Sequence, residues 1–130
     1  MEVTHHTRNL TIAPRKLRLV ADSMRYKTAT QAVAMLPLMP QKGAGILLKS
    51  LKSAIQVAKD NDIDAETLVI HAVWCNEGSA LKRSISRSRG RMTMIMKRHS
   101  HLSIVLTGEP AKRVSKKAAS KPTQTEEVEA

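Results

Sequence analysis

Aromatic side chains are almost missing from this 130-residue chain: Tyr26 and Trp74 are the whole set, and there is no phenylalanine. That scarcity argues against modules that stack bases on an aromatic sheet platform. A single cysteine, Cys75, excludes an internal disulfide and leaves no CxxC pair for zinc. It lies in an apolar run, where a thiol is inert unless its pKa is lowered. No apolar run reaches the 18 residues of a bilayer span, and the opening MEVTHHTRNL lacks the sections of a signal peptide. The chain therefore reads as soluble and intracellular, with no membrane partner. No Ser or Cys stands in a credible arrangement with a His and a carboxylate, so an enzyme is not expected.

Acidic residues are also missing where basic ones are densest. Lys and Arg number 22 against 11 Asp and Glu, a net charge of +11. Residues 1–79 contribute +3, residues 80–101 contribute +7 with no carboxylate, and residues 102–130 contribute +1. Most of the excess thus sits in LKRSISRSRGRMTMIMKR (81–98), and it calls for a polyanionic partner bound through phosphates and shape. The same stretch could be read as an Arg-Ser tract, a membrane-surface segment or a solvated loop. The Arg-Ser run is short and unrepeated, and the arginines do not segregate from the methionines at helical spacing. Seven uncompensated cations so close together repel one another unless phosphates are present.

Around this stretch the pattern predicts one modest domain over 1–109 and a disordered tail over 110–130, where apolar periodicity is lost. Residues 3–12 read as a strand. Pro14 starts a helix with Leu17, Val20, Ala21 and Met24 on one face. Thr28 and Gln31 are spaced as a capping box for a short second helix that Pro37 should stop. Pro40 starts a third helix, 41–60, in which Gly43 and Gly45 suggest close packing or a frayed first turn. Residues 68–76 form a strand with Val69, His71, Val73 and Cys75 on one face and Leu68, Ile70, Ala72 and Trp74 on the other. A further strand at 101–107 would pair with it, leaving 77–100 as an outsized hairpin connection.

Metal and nucleotide motifs fail on inspection. Asp60, Asp62 and Asp64 open like an EF-hand, but Ala65 and His71 stand where Gly and Glu are needed. Gly43 and Gly45 have Leu48 at the third glycine position. His5 with His6, and His99 with His101, make incomplete ligand sets. No metal and no cofactor are expected.

Three ordered stretches carry a resemblance: IAPRKLRLVAD (12–22), LKSAIQVAKDN (51–61) and NEGSALKRSISRSRGRMTMIMKRHSHLSIVL (76–106). Over about 4–107 the chain resembles the large-subunit ribosomal protein family numbered twenty-two, in its bacterial form. The resemblance implies an α+β fold, three helices packed on a small antiparallel three-stranded sheet with a long projecting β-hairpin. It implies no catalysis, a cytoplasmic place in the large ribosomal subunit, and contacts with large-subunit rRNA, neighbouring proteins including protein four at the tunnel constriction, and the nascent peptide in transit. The globular part would sit near the tunnel exit, and the chain would not be a homo-oligomer. Expected rRNA contacts are Arg8, Arg15, Lys16, Arg18, Arg25, Lys27, Lys49, Lys52, Lys82, Arg83, Arg87, Arg89, Arg91, Lys97, Arg98, His99 and His101. The tunnel-lining tip would be Ser86, Arg87, Ser88, Arg89, Gly90, Arg91, Met92 and Thr93. Ser86 replaces the usual proline, and Met92, Thr93 and Met94 replace small and charged residues. Pro37 stands where the family's second helix usually continues. A DNA-architectural protein with a basic β-arm is the alternative reading.

Overall fold

A computed structural model describes residues 1–110. In chain order these form β1 (Glu2–Leu10), α1 (Pro14–Met24), α2 (Ala29–Met35), α3 (Lys42–Asp60), β2 (Val69–Ser86) and β3 (Met92–Thr107). The three strands are antiparallel in the order β1-β3-β2, and the helices cover one face, giving the expected α+β fold. The expected tail lies outside the described residues except for Pro110, which bridges to Ile63.

The helices follow their sequence signals closely. Pro14 occupies the first turn of α1, where a missing N–H costs nothing, and Leu17, Val20, Ala21 and Met24 are its buried stripe. The Thr28–Gln31 capping box is present: the Gln31 N–H donates to Thr28 Oγ1 at 3.3 Å and the Thr28 N–H to Gln31 Oε1 at 3.4 Å. Pro37 stops the second helix as expected. The α-helix ends at Met35, and the chain continues through one 3-10 turn over Leu36–Leu38, which accommodates Pro37 near its start. Pro40 stands just before Gln41, the N-cap of α3. Of the two glycines there, Gly43 packs closely, since a Cβ would lie 3.5 Å from Leu17 and Val20, whereas Gly45 faces open space.

The sheet departs from simple alternation at three bulges, between Thr7 and Leu10, Ile70 and Ala72, and Glu77 and Ala80. The second overturns the expected faces of β2. An extra residue at His71 shifts the parity, so Ile70 joins Val73 and Cys75 on the buried side while Trp74 points away from the helices. The strands also run further than their sequence pattern predicts. Residues 77–86 and 92–100, the arms of the expected projecting hairpin, are regular continuations of β2 and β3. At the other end of the sheet's first strand, β1 stops at Leu10, and the buried Ser100 hydroxyl donates to the Ile12 carbonyl at 3.0 Å.

Core packing centres on Leu17, Met24, Leu47, Leu51, Ile70, Leu102, Ile104 and Leu106, all fully buried. Because β2 is an edge strand, its outer backbone groups need partners. The α1–α2 connection supplies them: the Tyr26 N–H donates to Ile70 O at 2.9 Å and the Ile70 N–H to Lys27 O at 2.9 Å. Arg25 then donates to Val73 O at 3.1 Å and Arg18 Nε to Cys75 O at 3.0 Å.

Candidate nucleic-acid interface

The last pair between β1 and β3 is Leu10 with Ser100; beyond it β2 and β3 continue alone to the pair Ser86 and Met92. At ~3.3 Å per residue this two-stranded ribbon extends roughly 30 Å past the three-stranded sheet. Every residue from 81 to 94 is exposed. Directly paired residues project to the same side. Lys82, Ser84 and Ser86 therefore share one side with Met96, Met94 and Met92, and Leu81, Arg83 and Ile85 share the other with Lys97, Ile95 and Thr93. Met92, Met94 and Met96 are 74%, 62% and 46% exposed. A two-stranded ribbon with no core cannot offset its own ordering entropy, so it needs an external surface.

The turn is shorter than expected. Thr93 pairs with Ile85 and Met92 with Ser86, so Ser86, Met92 and Thr93 belong to the strands and the loop is 87–91. The Arg87 N–H donates to Arg91 O at 2.6 Å and the Arg91 N–H to Ser88 O at 3.3 Å. Arg89 (φ 58°) and Gly90 (φ 71°) are both left-handed. Glycine adopts this conformation freely, whereas for arginine it costs about 1–2 kcal/mol.

Of the ribbon's cations, Arg98 approaches a carboxylate, Glu77 at 4.0 Å. Both side chains are more than half exposed, so the pair adds little. The other six have no ion-pair partner among the described residues. At the root of the ribbon the fold gathers further candidates. The Asn9 N–H donates to His101 Nδ1 at 3.1 Å, which puts the ring proton on Nε2 and brings Arg8 alongside. His99 Nδ1 donates to Ser79 O at 3.0 Å. Gly78 lies close against the His101 ring and the His99 backbone, since a Cβ would come 3.2 Å from His101 Nε2 and from the His99 carbonyl carbon. Through Ser100 and Ile12 the start of α1, with Arg15 and Lys16, borders the same root.

The remaining candidates are placed elsewhere or already engaged. Arg18 and Arg25 each spend a donor on β2, and Arg25 also pairs with Asp22 at 3.2 Å. Lys27 sits beside Ile70, at the far end of the sheet, with its Nζ 3.1 Å from Met35 Sδ. Lys49 lies near Asn9 and Thr11, and Lys52 is exposed further along α3.

Other reactive groups stay quiet. Burial pushes the Cys75 thiol up, against the opposing pull of the Arg18 and Arg25 charges, so little thiolate forms at neutral pH. No cluster of three or more His, Cys, Asp or Glu among the described residues could hold a metal ion. His5 faces the helices, and burial, helped by His6, holds its pKa below the ordinary 6.5. The unfolded chain therefore takes up a proton first as pH falls. Stability should be full above about pH 6.5 and decline below it until the folded-state pKa is passed. Urea unfolding of His5→Gln across that window should show a flatter profile than the parent.

Sequence reading missed Trp74. Nothing in VIHAVWCN marks the bulge that turns it outward, since the inserted position carries no glycine.

Residues 5–107 match the family described as ribosomal protein L22p/L17e. The chain belongs to the ribosomal protein L22p/L17e family. Its L22p/L17e relatives include the large ribosomal subunit protein uL22 of Desulfosudis oleivorans, 40% identical over 111 residues covering 85% of this chain and 97% of that protein. The protein of the same name in Staphylococcus aureus is 41% identical over 108 residues, 82% of this chain and 92% of its own length. That of Metamycoplasma arthritidis is 51% identical over 94 residues, 72% of this chain but 45% of the longer relative. The L22p/L17e match contains the whole ribbon and its root, so the projecting hairpin lies within the family's shared segment. No helix among the described residues is long and apolar enough to cross a membrane.

Proposed function

We propose that this ribosomal protein is a structural constituent of the large subunit that binds large-subunit rRNA, with residues 1–109 acting as one domain. The observation that carries this reading is the ribbon: exposed throughout 81–94, cationic on both sides and at the loop, and with no core of its own. Folded RNA supplies what such a ribbon lacks, namely phosphates for its arginines and a packed surface for its methionines. The globular part sits near the tunnel exit, and the ribbon reaches inward to line the nascent-peptide tunnel beside protein four. The chain works in the cytoplasm as a single copy per subunit, supports assembly, and catalyses nothing.

Competition at fixed salt between large-subunit rRNA and random duplex DNA tests the reading. The rRNA should win by orders of magnitude. Equal affinity would sink the ribosomal assignment and leave the DNA-architectural one.

A further inference from the structure

The face of the sheet turned away from the helices carries a side chain that the ribbon does not explain. Trp74 stands on it 52% exposed. Open faces of antiparallel sheets normally show polar residues to water, and tryptophan is enriched where a partner binds. Across the sheet Trp74 pairs with Ser103, which pairs in turn with His6. The His6 ring nitrogen Nδ1 lies 2.8 Å from the Ser103 hydroxyl. Beside this row is a cavity of about 470 Å³ lined by His6, Arg8, Asn9, His101, Leu102 and Ser103. Its lining includes no carboxylate, and its charged or titratable groups are one guanidinium and two imidazoles. An aromatic surface thus lies next to an anion-seeking hollow, with Ser103 common to both. The indole and His6 are two strand spacings apart, roughly 10 Å, a distance that one nucleotide and its flanking phosphate can span.

Resting on the rRNA reading above, we propose that this open sheet face, adjoining the ribbon's root, is a second RNA contact seating an unpaired nucleotide. Its base lies on the Trp74 indole, and its phosphate occupies the hollow formed by Arg8, His6 and His101. A protein partner docking on the indole through apolar groups would leave the adjoining polar and cationic hollow unfilled, whereas a nucleotide supplies both a ring for the indole and a phosphate for the hollow. Stacking on an aromatic ring needs no particular base, so the site reads an exposed single-stranded position by shape.

Trp74 is the sole tryptophan, so its emission reports on this site without labelling. Titration of the full chain with protein-free large-subunit rRNA should quench that emission and shield it from acrylamide. Trp74→Leu, checked for unchanged melting, should weaken rRNA binding about 10-fold with the salt slope intact, because stacking neutralises no phosphate. Arg8→Gln should instead reduce the slope by about 1. Tight rRNA binding with emission unmoved would overturn the site while leaving the rRNA reading standing, and absence of rRNA binding would overturn both. Emission that responds to large subunits reconstituted with their other proteins, but not to protein-free rRNA, would assign the indole to a protein neighbour and overturn the nucleotide proposal.

Discussion

A variant with Lys82, Arg83, Arg87, Arg89, Arg91, Lys97 and Arg98 all changed to Gln should bind large-subunit rRNA on the order of 10³-fold more weakly at physiological salt. Each phosphate contact releases close to one counterion, so the slope of log K against log salt should shrink by about 5 to 6. Thermal unfolding should barely move. These seven side chains touch no part of the buried core, and the one ion pair among them spans exposed groups. Filter binding over a salt series, alongside a melting curve, checks both halves. A loss of affinity with an unchanged slope would mean that the cations shape the ribbon rather than meet phosphate.

The opposite result is expected in the sheet. Ile104 lies on β3, the central strand, fully buried between its partners His5 on β1 and Val73 on β2. Ile104→Ala removes methylenes from the packed interior and leaves a cavity that three strands and a helical layer cannot close. The cost is about 2–5 kcal/mol, which for a domain of this size lowers Tm by roughly 10–25 °C. Below its new Tm the variant should still bind rRNA with the parental salt slope, since the ribbon's charges are untouched. Urea unfolding and the same salt series separate the two effects.

The contrast between these variants reflects what the sequence makes legible. α1 and α3 could be read because burial at Leu17, Val20, Ala21 and Met24, or at Leu47, Leu51, Ala54 and Ala58, recurs at the helical period. The capping box could be read because it is a contact between near neighbours. Composition alone made the ribbon legible as charge and length, and its strands came only from the family resemblance, because Ser, Arg and Lys favour no strand. Pairs such as Lys82 with Met96 form only once the chain has turned back on itself. Arg18 and Arg25 read as surface cations, and their donation to β2 follows from that strand's edge position, a property of the sheet order rather than of any local pattern. Ile70 was grouped with Trp74 instead of with Val73 and Cys75 because of a single inserted residue, the cost of a period of two.

The continuity of β3 has a mechanical consequence. From Met92 at the ribbon's outer end to Thr107 at the far end of the sheet it is one strand, with β2 along one side and β1 along its inner half. A pull along the ribbon axis is thus delivered to the middle strand, where the ladder bonds on both flanks are loaded in shear and must give way together. The bulge between Glu77 and Ala80 lies on β2, so β3 passes through the root without an inserted residue. The ribbon is thereby anchored in the centre of the fold and not at its edge.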